Sequence, residues 1–159
     1  MADELDYDPN HTLQQAYNLA LDRGAASVTP EHLLLALVRN EELVRRFIIK
    51  FDVSLAEIEA RLSALIKEPA TTSSTLSPTG HTSELRRILN RYEQKEDDFR
   101  KYKDAFVKQY GRQYKPGPVD LLMSVLAEGC AASMLLRNAG IFPKNASAEY
   151  QKFIMNGGN

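Results

Sequence analysis

A chain of 159 residues, 43% of them hydrophobic, can bury a core as one domain or as two small packed repeats, with no need of disulfide or metal staples. Its 20 basic and 21 acidic residues nearly cancel, which excludes wholesale electrostatic binding to nucleic acid or anionic membrane and leaves charge-driven contacts to local patches. Cys130 is a lone cysteine, no run reaches the roughly 20 apolar residues of a membrane span, and the acidic amino terminus MADELDYDPN reads as neither signal nor transit peptide, so the expected setting is the reducing cytoplasm.

Apolar spacing is helical nearly throughout. A first helix is expected over His11–Arg23, with Leu13, Ala16, Tyr17 and Ala20 on one face and a stop at Gly24. The clearest start signal follows at Thr29-Pro30-Glu31-His32: Thr29 caps the free N–H groups, Pro30 suits the first helical position, and Glu31 complements the positive helix end. His32, at the third position, is placed to satisfy local backbone groups. After the helix LLLALVRN come two more, Glu41–Lys50 and Ser54–Ile66, the second opened by a Ser54/Glu57 capping box. Residues 1–66 thus form a first unit, and 67–81, beginning KEPATTSSTLSPTG, read as a flexible linker.

Beyond the linker the pattern begins again over 82–155, leaving 156–159 as a tail. At a constant offset of 88, Leu33, Leu34, Leu37, Phe47, Ile48 and Val53 meet Leu121, Leu122, Val125, Leu135, Leu136 and Ile141, and Gly117-Pro118 stands in for Thr29-Pro30. The halves differ in their first helix. From Ser83, Leu85, Tyr92, Phe99 and Phe106 recur every seventh residue, which predicts one helix of about 27 residues, roughly 40 Å long; a kinked pair is the alternative. Aligning Thr12-Leu13 with Ile88-Leu89 shows about 12 added residues, three extra turns that project from the body. The fold expected is all-α, two related four-helix halves, the second with an extended first helix.

The repeat, the segment Thr29–Asn40 (TPEHLLLALVRN) and the stretch Ser133–Ile141 (SMLLRNAGI) carry a resemblance to the amino-terminal domain of Clp-family AAA+ unfoldases and disaggregases, nearest the Clp protease regulatory subunits, over about residues 5–155. The resemblance implies two pseudo-symmetric four-helix repeats that dock adaptor proteins or unfolded substrate polypeptides and are tethered to ATPase rings. Two departures stand out. Val119-Asp120 replace Glu31-His32 in the second half, which removes the paired acid that forms part of the pocket in relatives recognising phosphorylated arginine, and the long-helix insert is atypical.

No phosphate loop G-x-x-x-x-G-K-[ST] occurs, so no ATP site is expected in this chain and any ATPase activity is assigned to a separate domain. The terminal Asn156-Gly157-Gly158-Asn159 reads as the start of a linker, favouring an excised domain over a free-standing regulatory relative. His11, His32 and His81 are scattered, so neither metal nor cofactor is expected. Cys130, in the run Gly129-Cys130-Ala131-Ala132, reads as a buried packing thiol rather than a nucleophile. Ten basic residues outnumber five acidic ones between Arg86 and Lys115, interleaved with aromatics; a nucleic-acid surface needs that pattern, but a solvated helix face or protein-docking arm shows it too. The reading is a non-catalytic recruiter. Glu31 with the acidic Asp3, Glu4, Asp6 and Asp8 is the candidate site for basic partners, and Tyr102, Phe106 and Tyr110 of the insert for apolar ones.

Overall fold

The computed structural model describes residues 7–25, 27–66, 82–111 and 115–156. Among these the chain is all-helical, in the order α1 (Pro9–Asp22), α2 (Pro30–Asn40), α3 (Glu42–Ile49), α4 (Leu55–Ile66), α5 (Ser83–Tyr110), α6 (Pro118–Ala127), α7 (Ala131–Asn138) and α8 (Pro143–Met155). The linker expected at 67–81 and the tail from 157 lie outside the described residues.

The sequence of each helix start explains where it falls. α1 begins at Pro9, two residues earlier than apolar spacing alone indicates, because Asp8 caps it and accepts a hydrogen bond from the Asn10 N–H at 3.0 Å. It ends in a Schellman arrangement: Gly24 takes φ 66°, its N–H donates to Leu21 O, and the Ala25 N–H donates to Ala20 O at 2.9 Å. α3 is trimmed at both ends relative to expectation, because the extended backbone of Glu41 closes α2 and opens α3. At α4, Ser54 accepts from the Glu57 N–H at 3.2 Å, but the capping box is not completed. Glu57 turns its carboxylate to Arg61 at 2.6 Å, since an i,i+4 arginine on the exposed face competes for it.

α2 and α6 are the two central helices. Residues Leu33 to Val38 are buried without interruption, and so are Val119, Leu121, Leu122, Val125 and Leu126; a helix apolar on all sides belongs in the interior. α1 and α4 pack on α2, α5 and α8 on α6, and the halves meet where α3 crosses α6 and α7 packs on α2 and α4. Leu33/Leu121, Leu34/Leu122, Leu37/Val125, Phe47/Leu135 and Ile48/Leu136 are all buried, so both halves bury the same register positions; Val53 is only half-buried where Ile141 is buried. Across the halves, Phe47 of α3 meets Phe153 of α8 edge-on at 6.0 Å, and the Thr82 N–H donates to Val28 O at 3.1 Å.

α5 is a single helix of 28 residues, capped by Thr82 at one end and closed by Gly111 at φ 74°. Its sevenfold stripe tracks the body and then leaves it: Leu85 and Tyr92 are 0% and 1% exposed, Phe99 8%, and Phe106 half-buried, while neighbouring Tyr102 reaches 56%.

Candidate functional site

The turns by which α5 outlasts α1 overhang the start of α6 and the last turns of α8, and a groove of about 340 Å³ lies beneath them. α5 contributes Lys95, Asp98, Phe99, Tyr102, Lys103 and Phe106; the approach to α6 contributes Pro116 and Asp120; α8 contributes Tyr150 and Ile154. Four aromatic rings make the wall mainly apolar, as in a cleft built to accept apolar side chains.

The polar floor is satisfied from within. Asp120 is 1% exposed and holds three elements together: it accepts from the Gly117 N–H at 2.9 Å, takes a hydrogen bond from the Tyr150 hydroxyl, and lies 3.6 Å from Lys95 Nζ. The same ammonium stands 4.9 Å from the Tyr150 ring centroid, a cation–π contact. Burial pulls the Lys95 amine below its ordinary value and the Asp120 carboxylate opposes that shift. A buried carboxylate with a counter-ion and two further donors has its desolvation largely offset, and in return it fixes α5, α6 and α8 around the groove.

Of the residues singled out in the sequence, Tyr102 and Phe106 are brought together on the groove wall; the side chain of Tyr110 lies outside the described set. Glu31 and Asp8 line no part of this groove. Glu31 is half-buried in the first turn of α2 rather than exposed, because the helix start is packed into the body, and Asp8 is the exposed cap of α1. Asp3, Glu4 and Asp6 lie outside the described residues. At the start of α2, His32 Nδ1 accepts from the Thr29 N–H at 3.0 Å while Thr29 Oγ1 accepts from the His32 N–H at 3.4 Å, with Pro30 at the first position. Nδ1 as acceptor puts the ring proton on Nε2, and burial holds the imidazole pKa below its ordinary value.

The basic residues of α5 are largely engaged within the fold. Arg87 and Arg91 reach the buried Glu128 at 2.8 and 2.6 Å, and their hydrogen bonds hold that carboxyl below the usual range. Arg100 pairs with Asp97 at 3.6 Å, and the Lys101 ammonium stands 5.7 Å from the Tyr102 ring centroid. Cys130 is half-buried rather than buried, because it occupies the N-cap position of α7, where its N–H donates to Ser133 Oγ at 3.1 Å. A second hollow of about 400 Å³ between the α3–α4 turn and the end of α7 is polar, and its charged pair Glu57–Arg61 is mutually neutralised.

Sequence reasoning missed Lys95, Asp120, Tyr150 and Ile154. For Asp120 a signal exists: an acid three residues past an N-cap glycine reaches back to the N-cap N–H, as Asn145 does at the start of α8 with a 2.7 Å bond from the Phe142 N–H. Tyr150 and Ile154 carry no local signal, because their meeting with α5 is a long-range contact.

The solved structures similar to this chain share its fold. The N-terminal domain of Hsp104 from Candida albicans superposes with a TM-score of 0.70 at 11% identity, over 99% of this chain and 94% of that one. The N-domain of ClpV from Vibrio cholerae gives 0.65 at 15%, over 97% and 86%, and the N-terminal domain of the caseinolytic protease associated chaperone ClpD from Arabidopsis thaliana 0.60 at 12%, over 97% of each. The sequence itself matches the model of the Clp repeat (R) N-terminal domain over residues 8–109, from the cap of α1 to the outer end of α5. The chain belongs to the Clp N-terminal repeat domain family.

Proposed function

We propose that this chain is the recruiting domain of a Clp-type ATP-dependent unfoldase or protease regulatory subunit, acting in the cytoplasm, and that it captures adaptor proteins or unfolded substrate polypeptides in the groove under the outer turns of α5. The chain performs no chemistry in this reading, and ATP hydrolysis belongs to a separate ring-forming domain. Family membership supports the class of machine, and the named chaperones whose N-terminal domains share the fold support it further. The observation that carries the reading is the groove: an aromatic cleft made by three turns that α1 lacks, with Tyr102 56% exposed at its rim. Exposed aromatic side chains at the mouth of an apolar cleft are the features that dominate binding hot spots. Glu31 and Asp8 then remain a secondary, acidic contact for basic partner groups.

The test is capture of a reduced, alkylated and labelled unfolded protein, measured by fluorescence anisotropy with wild type and Y102A/F106A. Wild type is expected to bind, and the double variant to bind about tenfold more weakly or worse, as hot-spot truncation implies. Unchanged capture by a folded double variant removes the groove from the account.

A further inference from the structure

Resting on the groove as the docking site, we propose that the segment it accepts is acidic as well as apolar: a stretch of polypeptide whose bulky apolar side chains are flanked by carboxylates. The walls call for the apolar part. Phe99, Tyr102, Phe106, Tyr150 and Ile154 meet there, and the one buried charge among them, Asp120, is directed to Lys95, Tyr150 and the Gly117 N–H.

The charges at the rim select the flanks. Lys95, with 32% of its side chain exposed, Lys103 on the α5 wall, and Lys101 reaching over Tyr102 surround the opening. Against them stands Asp98, which already accepts a 2.9 Å hydrogen bond from Gln94. Asp97 and Asp104 each precede a groove aromatic by two residues, roughly 200° round the helix, and so belong to the far side of α5. Two of the aromatic rings, Tyr150 and Tyr102, carry a lysine ammonium of the protein itself on a face. An incoming cation therefore meets occupied rings and like charge, whereas a carboxylate meets ammonium groups within a Debye length of its apolar anchor. Because the chain as a whole is near neutral, the preference arises from this rim alone.

Two labelled peptides with the same Leu/Phe anchors, one flanked by Glu and the other by Lys, separate the outcomes by fluorescence anisotropy against the whole chain. The Glu-flanked peptide is expected to bind at least about fivefold tighter at low salt, a gap that narrows as salt rises. K101E/K103E, its helicity checked by circular dichroism, is expected to reverse the order. The wild-type salt series tests the same point if that variant does not fold. Equal affinities, or preference for the Lys-flanked peptide, overturn the inference while leaving the groove intact as an apolar site; no binding of either peptide overturns the groove itself.

Discussion

The starts of α2 and α6 occupy the same register in the two halves and solve the same problem with different side chains. In each, the third helical residue reaches back to the N-cap N–H: neutral His32 to Thr29, charged Asp120 to Gly117. The neutral imidazole ends its work there, with Nε2 buried and no partner assigned to it. The carboxylate carries a charge into the interior, and that charge is held by Lys95 and Tyr150, the two residues that bring α5 and α8 to the groove floor. One substitution between repeats thus separates a purely structural cap from one that organises a site.

The largest expected effect tests this difference. D120A strips the Gly117 N–H and Tyr150 hydroxyl of their acceptor and leaves Lys95 without its counter-ion, for an expected loss of about 2–3 kcal/mol in urea unfolding. D120N retains the cap bond, as Asn145 does at α8, and is expected to lose less stability but to weaken peptide capture. H32A is expected to lose about 1–2 kcal/mol, the scale of a lost cap with some packing, and to leave capture unchanged. If H32A and D120A affect capture equally, the contrast between the two starts is broken.

The halves also respond to acid in different windows. His32 has a folded pKa below its ordinary 6.5, so the unfolded chain binds the proton first, and the stability present above pH 6.5 falls as pH drops below it. Glu128 has a folded pKa below its ordinary 4.5, held down first by its hydrogen bond from Arg87, so its contribution is lost only as pH falls through that lower range. H32N, which keeps an acceptor at the cap, is expected to remove the upper phase alone in a pH series of unfolding midpoints.

Smaller effects sharpen the comparison at the turns after α3 and α7. Asp52 at φ 60° and Gly140 at φ 106° hold corresponding positive-φ positions. A Cβ at Gly140 meets nothing within 4 Å, so G140A isolates backbone strain and is expected to lose about 1 kcal/mol. D52G relieves the milder strain and is expected to gain about 0.5 kcal/mol, both by thermal unfolding.

Much of this architecture is readable in the sequence, because helix starts and apolar periodicity are local. Thr29-Pro30 and Gly117-Pro118 mark the two central helices, and Leu85, Tyr92, Phe99 and Phe106 mark a helix too long for its half. The groove is half readable for the same reason. Tyr102 and Phe106 declare themselves as an apolar stripe extending past the body, whereas Tyr150 and Ile154 sit in an ordinary amphipathic helix and acquire their role only when α8 folds back under α5. Asp120 was misweighed as a departure from Glu31-His32, because charge at that position is informative only once Lys95, 25 residues earlier in the chain, is known to be its neighbour.

The most direct test of the central claim is photo-crosslinking from position 102, with a photoreactive phenylalanine in place of Tyr102 and a labelled unfolded protein as the prey, set beside the same probe at the exposed Ile49 of α3. The account predicts prey crosslinked at 102 and not at 49, and competition by an apolar peptide. Equal crosslinking at both positions, or none at 102 from a folded protein that still captures the prey, contradicts it.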